Sequence, residues 1–89
     1  MDAKSCEKAT GAIADKYRLL IVQELAQRGS MTPSDIQELT GLSQPCVSHH
    51  VRLLTESELV ITTKEGRNVH LRLNKEAMRQ LSAFFAQLT

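Results

Sequence analysis

Residues 39–74 read LTGLSQPCVSHHVRLLTESELVITTKEGRNVHLRLN, and a change of period inside this stretch decides the fold. Up to Glu58 the apolar residues recur at helical spacing; after it they alternate. Ser43 is a hydroxyl N-cap residue and Pro45 falls in the first turn, where a missing N–H costs nothing, so QPCVSHHVRLLTES continues as a helix. Counted at 100° per residue, Gln44, Pro45, Ser48, His49, Arg52 and Thr55 share one arc of about 140°. Cys46, Val47, His50, Val51, Leu53 and Leu54 fill the other side and are expected to face a core. Beyond Glu58, Leu59, Ile61 and Thr63 are expected on one strand face, and a turn is expected at Glu65-Gly66. Val69, Leu71 and Leu73 then alternate with Asn68, His70 and Arg72. This predicts a β-hairpin with Lys64 and Arg67 near its tip.

Upstream, Thr32-Pro33-Ser34-Asp35 places a hydroxyl cap, a proline and a carboxylate in the order that opens a helix, here from Pro33 to Thr40 with Gly41 as its stop. Before it, Asp15 caps KYRLLIVQELAQR, in which Leu19, Val22, Leu25 and Ala26 recur at helical spacing. Arg28 suits the negative end of that helix, and Gly29 ends it. The first dozen residues, with Ala9, Ala12 and Ile13 on one face, predict a weaker helix, because Gly11 costs about 1 kcal/mol relative to Ala. Downstream, Asn74 caps a last helix with a broad apolar stripe of Ala77, Met78, Leu81, Phe84, Phe85 and Leu88. Helix, helix, short helix, helix, hairpin, helix is the order of a winged helix-turn-helix. The fold class is mainly α with a two-stranded β-wing: one domain over 1–89, the helix-turn-helix over 32–56, the wing over 59–73, and outer helices at 1–14 and 74–89.

The chain has 89 residues, too few to wall off the pocket of a typical enzyme, so binding is favoured over catalysis. Ser48, His49 and His50 are contiguous on a helix and point in different directions, which rules them out as a nucleophile and base pair by spacing alone. No paired carboxylates, glycine-rich phosphate loop or HExxH motif is present. The net charge of +1 gives no global argument for nucleic acid. Residues 1–42 hold five Lys/Arg and six Asp/Glu, residues 43–73 four and three, and the middle segment carries all three histidines. A nucleic-acid reading therefore rests on where charge is placed. No apolar run approaches a membrane span and the N-terminus lacks a secretory core, so a cytoplasmic location without membrane contact is expected. Cys6 and Cys46 lack metal-binding spacing and are expected as thiols. No cofactor and no metal are expected.

The arc on the Gln44–Thr55 helix offers amide, hydroxyl, imidazole and guanidinium groups opposite an anchored face, a set that meets base edges and phosphates in a major groove. The other reading is a plain amphipathic surface helix. Lys64 and Arg67 on the hairpin can neutralise phosphates flanking a groove, or simply keep an exposed turn soluble. Together, two basic elements after a capped helix-turn-helix unit favour DNA.

Residues 39–74, with their SxxVSHHVxxL helix, the Glu-Leu-Val step into the hairpin and the Gly-Arg at its tip, resemble the DNA-binding core of the ArsR/SmtB winged-helix repressors. ADKYRLLIVQEL upstream is similar to the family's helix in which an Arg-Leu pair precedes an apolar run, and the resemblance covers about residues 12–74. It implies a homodimeric transcriptional repressor that reads a palindromic operator in double-stranded DNA and dimerises through its terminal helices. Carried over residue by residue, it makes Ser43, Gln44, Ser48, His49 and Arg52 the DNA contacts, with Lys64 and Arg67 on the wing. The dimer interface is expected at Ala9, Ile13, Leu81, Phe84, Phe85 and Leu88, where a two-fold contact would cover the apolar stripe.

The sequence departs from the family at its metal sites. SMTPSDIQEL at 30–39 has no cysteine, and the terminal helix has no histidine and one acidic residue, Glu76. Cys6, in an exposed terminus, and Cys46, spaced i, i+4 from His50 on the core side, remain as candidates for a thiol or redox response. Two residues do not complete a tetrahedral metal site. The competing function is a winged-helix module that binds protein through its apolar terminal helices and has no operator preference.

Overall fold

The computed structural model describes residues 1–89 and contains the five helices and the hairpin in the expected order. Each helix begins where a short polar side chain can satisfy its free N–H groups. The Asp2 carboxylate accepts from the Ser5 N–H at the start of α1 (Ala3–Ile13). Asp15 accepts from the N–H groups of both Tyr17 and Arg18 at the start of α2 (Lys16–Arg28). α3 (Pro33–Thr40) opens with a reciprocal box, in which Thr32 Oγ1 accepts from Asp35 N and Asp35 Oδ2 accepts from Thr32 N. Gly41, at φ 72°, ends it in the left-handed conformation that a Cβ would oppose, and this lets α4 (Gln44–Glu56) leave at a sharp angle from its Ser43 cap. Asn74 caps α5 (Lys75–Ala86).

The hairpin differs from the sequence expectation by one residue. β1 (Val60–Glu65) pairs antiparallel with β2 (Asn68–Leu73), with Val60 opposite Leu73, Thr62 opposite Leu71 and Lys64 opposite Val69. Val60, Thr62 and Lys64 therefore share the face of Val69, Leu71 and Leu73, while Ile61 and Thr63 lie with Arg72 and His70 on the other face. Leu59 is buried but precedes the strand. Glu58 takes φ 68°, a left-handed turn between α4 and β1 that resets the alternation and that the side-chain pattern alone does not reveal. The turn itself is Gly66-Arg67, closed by the Glu65 and Asn68 pair, with Gly66 at φ 63°. At the other end, Met31 and Leu71 exchange both backbone hydrogen bonds, at 3.0 and 2.8 Å, so the segment before α3 adds a one-residue third strand to the base of the wing.

The core gathers one face from every element: Cys6, Ala9 and Ala12 of α1, Ile21 and Leu25 of α2, Ile36 of α3, Val47 and Leu54 of α4, Leu71 of β2 and Leu81 of α5. Each fully buried Leu, Ile or Val contributes roughly 1.5–3 kcal/mol of transfer free energy. Three expectations change here. In α2 the buried residues are Ile21 and Leu25, while Leu19 is 43% exposed and Ala26 lies at the surface. Ala9 is wholly buried within the chain itself, with no surface left for a partner copy, and Leu81 is buried but for a small remainder. Cys6 is a core residue and Cys46 is exposed, the reverse of the expected placement. Asp2 caps α1 and ties the terminus down over Cys6, whereas Cys46 sits in the first turn of α4, beyond the rim of the core.

Candidate nucleic-acid interface

α4 is fixed from behind by Val47 and Leu54, both buried, and by half-buried Val51 and Leu53. Its outer arc is open to solvent: Ser43, Gln44, Ser48, His49 and Arg52 are all exposed. Arg52 Nη2 lies 3.1 Å from His49 Nδ1, and its Nε is 4.0 Å from Glu56 Oε1, a loose surface pair that leaves the Arg52 side chain 63% exposed. Such a pair is worth little in water and can be exchanged for a phosphate or a base edge.

The wing lies beside this helix. Thr55 Oγ1 and Thr62 Oγ1 are hydrogen-bonded at 2.9 Å, which ties the end of α4 to the start of the wing. Between them runs an open groove of about 370 Å³ lined by Ser48, Arg52, Thr55, Lys64 and Val69. The one-residue shift in β1 matters here: it turns Lys64 toward the groove. Lys64 and Arg67 are exposed and neither makes an ion pair. One concave surface thus gathers the Ser48 hydroxyl, the Arg52 guanidinium and the unpaired Lys64, with the Glu56 carboxylate on its wall, while the unpaired Arg67 lies outside it at the hairpin tip beside Thr32 and Ser34.

The inner side of α4 carries a feature that the spacing of single residues does not show. His50, with its side chain 12% exposed, reaches the junction of α1 and α2, where its Nδ1 lies 3.0 Å from Arg18 Nη1 and 3.9 Å from Asp15 Oδ2. Tyr17 and His50 rings are tilted at 5.8 Å between centroids. Burial, with the neighbouring Arg18 and His49 charges, pushes the His50 imidazole below its ordinary value, against the opposing pull of Asp15. The Arg18 backbone N–H, and then the Arg18 and His50 charges, hold the Asp15 carboxyl below the usual carboxylate range. A signal for this cluster does exist in the sequence, since Asp15 and Arg18 are i, i+3 at a helix start; their link to His50 is long-range.

The two cysteines do not come together with metal-ligating neighbours: no group of three or more His, Cys, Asp or Glu side chains is close enough to hold an ion. His50, i+4 from Cys46, is engaged with Arg18, while Cys46 faces solvent. Of the residues expected at a dimer contact, Phe85 is 46% and Leu88 70% exposed, and Ile13 and Phe84 are half-buried. The Phe84 and Phe85 rings meet edge to face at 6.2 Å.

The family model described as "Bacterial regulatory protein, arsR family" matches residues 15–62, from the α2 cap through the first half of β1. The chain belongs to the arsR family. This arsR-family protein is 40% identical over 62 residues to the arsenical resistance operon repressor of Escherichia coli K12, a match that covers 70% of the chain and 53% of the relative. It thus spans about half the length of that repressor. The crystal structure of an ArsR family transcriptional regulator superposes with a TM-score of 0.88 at 24% identity, covering 99% of this chain and 90% of that one. The solution structure of a homodimeric winged helix-turn-helix DNA-binding domain from Mycobacterium bovis superposes with a TM-score of 0.77 at 23% identity, covering 96% and 79%. These similarities agree with the winged-helix reading of the arsR-family chain, and its relatives are transcriptional regulators. No helix is long and apolar enough to cross a membrane.

Proposed function

We propose that the protein is a homodimeric, sequence-specific DNA-binding repressor that acts in the cytoplasm and works without the family's usual metal-sensing sites. The observation that carries this reading is the exposed row Ser43, Gln44, Ser48, His49 and Arg52, with the unpaired Lys64 sharing a groove with Ser48 and Arg52 and the unpaired Arg67 at the tip of the same wing. Gln44 and Arg52 have the chemistry to read adenine and guanine edges, Ser43 and Ser48 to hold phosphate, and the wing cations to grip the flanking backbone. Exposed Phe85 on α5 and Leu88 just beyond its end support a two-fold contact, as does the homodimer named for the Mycobacterium bovis domain. Two copies would address half-sites of a palindrome roughly 34 Å apart, one helical turn of DNA. The missing cysteines at 30–39 and the missing histidine in α5 support a repressor without metal ligands at those places, leaving constitutive binding or a thiol-based response as its modes of control.

The test is selection of genome fragments by the purified protein at two salt concentrations, followed by Arg52→Ala on the recovered site. A short palindrome is expected, and Arg52→Ala is expected to cost about 1–3 kcal/mol on it while leaving random DNA nearly unaffected. Equal loss on both DNAs would refute base reading by Arg52 and make it a phosphate contact, and recovery of random fragments only would favour a protein-interaction module.

A further inference from the structure

The Arg18 guanidinium joins three helices. Its Nε donates to the Ala12 carbonyl at the end of α1, at 2.7 Å, and its Nη1 meets His50 Nδ1 on α4 at 3.0 Å, while the residue itself belongs to the first turn of α2. A guanidinium has donors only, so His50 Nδ1 must accept and the ring must be neutral with its proton on Nε2. Asp15 Oδ2 lies 3.9 Å from the same Nδ1, beyond hydrogen-bond reach, and already accepts from the Tyr17 and Arg18 N–H groups.

A proton on Nδ1 reverses this arrangement. The imidazolium has no lone pair there for Arg18 to donate to, it faces the guanidinium charge, and its new N–H finds Asp15 as the nearest acceptor. The other charged or titratable groups facing the site are Tyr17 and Arg18 on α2 and His49 on α4, whose ring centroid is 5.7 Å from that of His50. Lys8 of α1 and Glu56 of α4 line a small cleft with Arg18, and Glu56 is turned to Arg52. The clamp has two states, selected by one proton.

We propose that Arg18 and His50 are positioning residues for DNA binding: with His50 neutral they fix the rotation of α4 against α1 and α2, and protonation of His50 releases that grip and weakens DNA binding. The inference rests on α4 being the DNA-reading helix. Burial and the neighbouring cations favour the neutral ring, so the grip holds at neutral pH.

The test uses the full chain and the duplex that it selects, at constant ionic strength from pH 7.5 to 5.5, with helical content followed by circular dichroism. The exposed His49 and His70 are first changed to Gln, and each variant is compared with its own affinity at pH 7.5. In that background affinity is expected to fall about tenfold per copy, and so about a hundredfold for a dimer, for each pH unit below the His50 pKa, with helical content unchanged. Adding His50→Gln is expected to flatten the profile to less than about twofold, since an amide does not titrate. A steep profile in both proteins, or a flat one in both, overturns the clamp while leaving DNA binding intact. No binding by the unsubstituted chain at pH 7.5 overturns the DNA reading itself. Should His50→Gln fail to fold, the ¹⁵N shifts of the His50 ring in the otherwise native chain decide the matter. An unprotonated Nδ1 at pH 7.5 is required, and a proton found there refutes the proposal.

Discussion

Lys64→Ala separates phosphate grip from base reading. Lys64 stands opposite Val69 on the wing face turned to α4, exposed and without an ion-pair partner, so its removal leaves no buried charge behind and should not unfold the wing. Each phosphate neutralised contributes about 0.9 to the slope of log affinity against log salt. A dimer loses two such contacts, so the slope should flatten by about 1.8. Between 50 and 200 mM salt, a fourfold change, the wild-type protein should then lose about 12-fold more affinity than the variant, against about 3.5-fold if one copy engages. Fluorescence anisotropy with a labelled duplex over that range measures the slope, on the selected site and on a scrambled one. Equal flattening on both is the expected result. An unchanged slope would show that Lys64 touches no phosphate; a loss confined to the selected site would make it a base reader and refute the division of labour between wing and helix.

Leu54 is fully buried behind the exposed arc of α4, and Leu54→Ala should cost about 2–5 kcal/mol by urea unfolding; a cost under 1 would contradict the packing of α4. Replacing Phe85 and Leu88 together by Ser should weaken self-association by about 30-fold, the equivalent of 2 kcal/mol, in sedimentation equilibrium, and no change would place the dimer contact elsewhere. Acid should weaken the fold through His50. Because its folded pKa lies below the ordinary value near 6.5, its contribution is complete above that pH and is lost as pH falls through 6.5 toward the folded value. The urea midpoint should therefore drop from pH 7.5 to 5.5, and drop less in His50→Gln, with equal drops counting against the argument.

The helix boundaries were legible because each is written in local chemistry: Asp15, Thr32, Ser43 and Asn74 all cap, and Gly29 and Gly41 both stop, as their residue types require. The exposed arc of α4 was legible for the same reason, since helical rotation alone separates Ser48 and Arg52 from Val47 and Leu54. The face of β1 was not. It depends on the single positive φ at Glu58, a residue type that gives no hint of it, and a shift of one residue exchanges the two faces of a strand. Cys6 was misplaced because burial near a terminus depends on what covers it, here α4 and α5 packing on α1, which are long-range contacts. The Arg18 and His50 link spans 32 residues and had no local signature.

The Met31 and Leu71 pairing has a mechanical consequence. It bolts the root of the hairpin to the segment that enters α3, so the root is fixed to the helix-turn-helix, while the pairs from Thr63 and His70 outward overhang it, steadied on one face by half-buried Val69 against the core. At about 3.4 Å per residue, that overhang is roughly 10 Å of two-stranded ribbon, stiff along its length and compliant across its face. Lys64 and Arg67 ride on this cantilever. On the proposed reading, their charges follow a phosphate backbone as the duplex breathes or narrows, while the side chains of α4 stay in register, and tolerance of DNA shape and intolerance of base change would fall to different parts of one short chain.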